Sequence, residues 1–100
     1  MENNQKNQLN IEISDEVAEG KYSNLAIITH SASEFILDFA QNMPGMGTAQ
    51  VASRIVMTPD HAKRLLAALN ENIAKYESQF GEIRLSNATF VVPGGPAAKA

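Results

Sequence analysis

Five side chains capable of polar chemistry fall inside one short stretch, "THSASEFILDF": His30, Ser31, Ser33, Glu34 and Asp38. Serine, histidine and aspartate are the parts of a hydrolytic triad, and a histidine beside carboxylates is a metal-ligand set. A triad needs His30 to touch a serine and Asp38 to orient the imidazole. Asp38 lies four residues beyond Glu34, about 13 Å along an extended strand at ~3.3 Å per residue. No Gly-x-Ser-x-Gly elbow is present to present a nucleophile. The serines fit better as turn residues that bond the local backbone, and Asp38 as a solvent-facing strand position. No catalytic residue is assigned on this pattern.

Metal binding is the sharper form of the same idea. Antiparallel strands would bring His30 and Glu34 to one sheet edge with Asp60 and His61. If one strand separates the two histidines, they sit about 10 Å apart, whereas zinc needs its ligands at about 2 Å. No His-x-x-x-His pair fixes a site. His30 is therefore expected to flank a turn, His61 to be exposed in the first turn of a helix, and no cofactor is expected. "PGMG" contains a Gly-x-Gly but leads into a strand, so it reads as a hairpin loop rather than a phosphate cradle. Arg54, Lys63 and Arg64 read as a solvated face, Met43 and Met46 as loop residues, and Met57 as core.

The elements that would position these residues follow from periodicity. "LNIEIS" sets Leu9, Ile11 and Ile13 against Asn10, Glu12 and Ser14, the period of two expected of a half-buried strand. "KYSNLAIITH" from Lys21 to His30 predicts a second strand, "FILDFA" from Phe35 to Ala40 a third, and "QVASRIVM" from Gln50 to Met57 a fourth. The longest signal is helical. Thr58 suits the N-cap, Pro59 the first helical position and Asp60 the positive end of the helix dipole. Ala62, Leu65, Leu66, Leu69, Ile73, Tyr76 and Phe80 then recur as one apolar stripe, and Gly81 ends it. Asp60 with Arg64 and Glu71 with Lys75 are spaced for ion pairs on the solvent side. "EIRLSNATFVV" carries a weaker signal, a short edge strand or an irregular arm.

Short links between consecutive strands require antiparallel pairing. The expected fold is α+β: an antiparallel meander of about four strands, then one long amphipathic helix packed on the sheet. Residues 9–92 would form one domain, with residues 1–8 and 93–100 as flexible tails. Apolar residues on both sides of the strands leave a face that one helix cannot cover. Ala26, Ile28, Ile36, Ala52 and Val56 are read as lying opposite Leu25, Ile27, Phe35, Leu37 and Ile55. A second copy of the chain is the expected cover, making the first set a partner or oligomer surface and the protein a homodimer.

Composition bounds the function. The 100 residues are 44% hydrophobic but only 6% aromatic, with no tryptophan. So small a core gains from self-association. A net charge of −3 offers no bulk attraction for phosphate backbones, so nucleic acid is an unfavoured partner. The absence of cysteine excludes disulfides and thiolate zinc sites. "MENNQKNQLN" has no apolar signal region and no spanning segment is visible, which predicts a cytoplasmic protein without membrane contact.

The runs "VAEGKYSNLAIITHSASEFILDF" and "SRIVMTPDHAKRLLAALNENIAKYE", with "MPG" between them, resemble a family of small bacterial and archaeal proteins known as domain of unknown function 3467. The resemblance covers about Ile11 to Glu77. It implies a single unit and brings no activity, so no site residue carries over from it. A looser likeness, of topology alone, is to SecB-type export chaperones. The sequence therefore predicts a small non-catalytic module that oligomerises or binds protein. The alternatives are a SecB-like polypeptide-binding chaperone and a metal-dependent small-molecule enzyme at the His30, Glu34, His61 edge.

Overall fold

The computed structural model describes residues 8–86. These form a short helix α1 (Asp15–Ala18), three strands β1 (Leu25–His30), β2 (Phe35–Gln41) and β3 (Gln50–Met57), and a long helix α2 (Pro59–Phe80). The strands make one antiparallel sheet in the order β1-β2-β3. The fold is α+β, a three-stranded antiparallel sheet followed by a long helix.

The expected first strand is not part of the sheet. Leu9, Ile11 and Ile13 are largely exposed and Leu9–Ser14 pair with no strand among the described residues. Alternation marks a ribbon with one apolar edge, but it supplies no ladder partner. The next segment, α1, is helical because Ser14 accepts a hydrogen bond from the Val17 N–H and two carboxylates, Asp15 and Glu16, sit at the positive end of the turn. The second strand also begins later than expected, at Leu25 rather than Lys21. Just before it, Asn24 donates its backbone N–H to Ala40 O at 3.1 Å and adds side-chain bonds to Asn42. Its Oδ1 accepts from Asn42 N–H at 2.8 Å and its Nδ2 donates to Asn42 O at 3.0 Å. The Ser23 hydroxyl donates within reach of both Leu25 O and Ala40 O.

β3 and α2 match the sequence reading in both bounds and caps. Thr58 Oγ1 accepts from His61 N–H at 3.1 Å, and Gly81, at φ 101°, donates its N–H to Glu77 O. The loop between β2 and β3 turns at Met43-Pro44-Gly45-Met46, where Met46 N–H donates to Met43 O. Proline second and a glycine at φ 83° third are what a type II turn requires.

α2 is not packed on the sheet. None of its residues is buried, its contacts with the strands are sparse, and Leu66, Leu69, Tyr76 and Phe80 are each at least half exposed. The connection explains this. Only Thr58 separates Met57 from Pro59, and it is extended (φ −72°, ψ 157°). Strand-to-helix links that fold a helix back across its sheet commonly take two to six residues. The described core is correspondingly small: Leu37 and Ala40 are its buried hydrophobic residues. The expected boundaries of the flexible tails lie largely outside the described residues, as does most of the arm from Asn87 onward.

Candidate functional site

The β1–β2 corner is built as a turn. Ser31 N–H donates to Glu34 O at 2.9 Å, and the Ser31 hydroxyl oxygen accepts from Ser33 N–H at 3.3 Å. Both serines are engaged in holding the reversal. His30 pairs in register with Phe35 and stacks on its ring at 5.3 Å, with 24° between the planes.

Register also decides the triad. His30 lies beside Phe35, while Asp38, three positions further along β2, projects from the other side of the sheet. Asp38 is not solvent-facing, as its sequence position suggested, but buried. It faces Arg54 across the β2–β3 ladder, and the two form a bidentate pair, Nε to Oδ1 at 2.7 Å and Nη2 to Oδ2 at 2.9 Å. The hydrogen bonds from Arg54, reinforced by its charge, hold the Asp38 carboxyl below the usual carboxylate range against the opposing effect of burial. The same bonds push the guanidinium up. Periodicity assigned Asp38 to a face correctly but could not tell that this face carries its counter-ion. The only signal for the pair was an opposite charge on the next strand.

The weak metal candidates do not converge. Asp60 is spent on Arg64 at 3.0 Å, and His61 contributes its backbone N–H to the helix cap. Among the described residues no group of three or more histidine and carboxylate side chains is placed to hold a metal ion. Arg54 and Arg64 are each paired with an aspartate, so the basic trio with Lys63 makes no free patch. The second expected helix pair, Glu71 with Lys75, is not among the ion pairs formed by the described residues. A cleft of about 540 Å³ lined by Glu16, Val17, Glu19, Gly20, Lys21 and Ser53 gathers no catalytic grouping.

What the structure does present is apolar surface. Ala26 and Ile28 pair with Phe39 and Leu37, so they share a face with Phe35, Ile55 and Met57. Ile36 and Val56 pair with each other on the opposite face, with Leu25 and Ile27. Ala52 is the extra residue of a bulge, because Phe39 faces Ser53 and Ala40 faces Val51. The five residues read as one oligomer surface are thus divided between two faces, since the strand-to-strand phase that unites a face is set by register and cannot be taken from each strand alone. Neither face is covered by α2, and α2 keeps its own stripe open. No helix among the described residues is long and apolar enough to cross a membrane.

Fold and surface together define a small α+β domain with exposed apolar faces and no assembled catalytic group among its described residues. The chain belongs to the family described as protein of unknown function (DUF3467), whose model matches residues 1–85. Searches of the curated proteins and of the solved structures each found no match.

Proposed function

We propose that this chain is a small, non-catalytic, cytoplasmic module that works by assembling with a second copy of itself and offering the assembled surface to a protein partner. One observation carries the reading: a 22-residue helix with a continuous apolar stripe stands beside a three-stranded sheet and buries none of it. An amphipathic helix draws most of its stability from packing its apolar face. Here that face has no occupant within the described chain. Residues 1–7 and 87–100 add only Met1, Phe90, Val91 and Val92 as large apolar side chains, too few to cover the helix and two sheet faces together. Self-association supplies cover in proportion to what needs covering.

Light scattering coupled to size exclusion tests this on the full chain. A mass of two or more copies is expected. A strict monomer with full helical circular dichroism would remove the basis of the proposal. A polypeptide-holding chaperone of SecB-like shape is the version in which the partner is an unfolded chain, and it predicts suppression of aggregation of a denatured client at stoichiometric concentration. Stoichiometric metal retained through purification without chelator, and lost in His30→Ala and His61→Ala, would overturn the non-catalytic part.

A further inference from the structure

We infer that α2 pairs with α2 of a second copy in antiparallel fashion, about a two-fold axis at the level of Glu71. This rests on the self-assembly reading and specifies its interface. Ala62, Leu66, Leu69, Ile73, Tyr76 and Phe80 are spaced alternately four and three apart, the 3.5-residue repeat of a coiled-coil seam, with Leu65 widening the stripe on one flank. Leu66, Ile73 and Phe80 take one seam position of the heptad, and Ala62, Leu69 and Tyr76 the other.

An antiparallel pair sets one seam position against the other. With the axis at Glu71, residues equidistant from it come level: Leu69 with the partner's Ile73, Leu66 with the partner's Tyr76, and Ala62 with the partner's Phe80. The bulky Phe80 at one end meets Ala62, the smallest seam side chain, at the other, which is how facing positions interdigitate without void or clash. The flanking charges agree. Lys63 and Glu77 both follow a seam residue by one position, and residues in that position face each other across an antiparallel pair. Lys63 lies eight residues before the axis and Glu77 six after it, which brings Lys63 within about 3 Å of the level of the partner's Glu77 at 1.5 Å rise per residue. The two-fold repeats the contact. Glu77 already accepts from Ile83 N–H through one carboxylate oxygen, which leaves the other to meet the lysine. A parallel pair would stack Phe80 on its own copy and set no opposite charges across the seam.

Two observations disfavour the other occupant, the chain's own sheet. The link at Thr58 is one residue long, and the helix makes only sparse contact with the strands.

The chain has no cysteine, so single-cysteine variants report cleanly. The full-length Asn70→Cys, Ala62→Cys, Lys63→Cys and Glu77→Cys variants are treated with a short bis-maleimide linker, while light scattering follows the mass of each. Asn70→Cys should link to itself, lying beside the axis. Lys63→Cys and Glu77→Cys should link only when mixed. Ala62→Cys should not link, its two copies being about 27 Å apart along the seam. Self-linking of Ala62→Cys would show a parallel pair and overturn the inference. A dimer in which none of these positions links would place the interface on the sheet, overturning the helix pairing and leaving self-assembly intact. A monomer would take both down. Charge reversal gives an independent reading: Lys63→Glu or Glu77→Lys alone should weaken dimerisation on the order of tenfold, and the double variant should restore it.

Discussion

At the scale of single residues, Asp38 and Arg54 are the polar feature that the fold itself assembles. A buried carboxylate on the central strand is tolerated because both its oxygens are bonded to one guanidinium fork, the geometry in which arginine outperforms lysine. The consequence for pH has a definite sign. A carboxyl held below its unfolded value, near 3.9, contributes stability that is fully present above that value. The contribution declines as pH falls past about 4 and is gone once pH passes below the lowered native value. Asp38→Asn keeps the shape and removes the titration. In urea melts the wild type should be the more stable at pH 7, with the gap closing as pH drops from about 5 to 2. A gap that stays constant over that interval would mean the pair contributes nothing through charge. The serines at the corner behave differently, since their work is on the backbone, and no pH dependence attaches to them.

At the scale of elements, what the sequence made legible were the parts written in local code. β3 and α2 were bounded to the residue because Thr58, Pro59 and Gly81 are start and stop signals with a single meaning. The cap can be tested at the same scale: Thr58→Ala should cost about 1 kcal/mol and reduce helicity at the start of α2, and Thr58→Ser should restore most of it, read by chemical denaturation followed by circular dichroism. An unchanged midpoint would show that the helix start is held by something other than its cap. What stayed hidden was relational. Leu9–Ser14 has the alternation of a strand but no partner strand. Lys21–Asn24 looks extended, but it meets β2 through one backbone bond, from Asn24 to Ala40, with the Ser23 hydroxyl and the Asn24 side-chain amide bonding Ala40 and Asn42. The assignment of Ala26, Ile28, Ile36, Ala52 and Val56 to one face failed because periodicity fixes alternation within a strand and says nothing of the phase between strands, which the bulge at Ala52 shifts again. Even the helix was misplaced by a correct observation, because an apolar stripe demands burial without naming what it is buried against.

At the scale of the whole molecule, these open surfaces bear on stability. The described monomer has two buried hydrophobic residues and no fully buried large side chain, whereas folding must offset a loss of roughly 1–2 kcal/mol of backbone entropy per ordered residue. Under the proposed self-assembly the second copy supplies the cover that the monomer lacks, and folding and assembly become one equilibrium, dependent on protein concentration. Each tenfold rise in concentration favours a folded dimer over two unfolded chains by about 1.4 kcal/mol. For some 200 residues unfolding together, that is about 4 °C in Tm. Thermal melts over a hundredfold range of concentration should therefore spread by about 8 °C. Leu69→Glu puts a charge at the centre of the α2 stripe, exposed in the monomer and thus harmless there, but buried in any assembly that uses that stripe. It should lower Tm and abolish the concentration dependence together. If Tm is independent of concentration in the wild type, the monomer is stable by itself. If Leu69→Glu leaves the dependence unchanged, the copies meet through the sheet faces, and the stripe on α2 is left for a different protein.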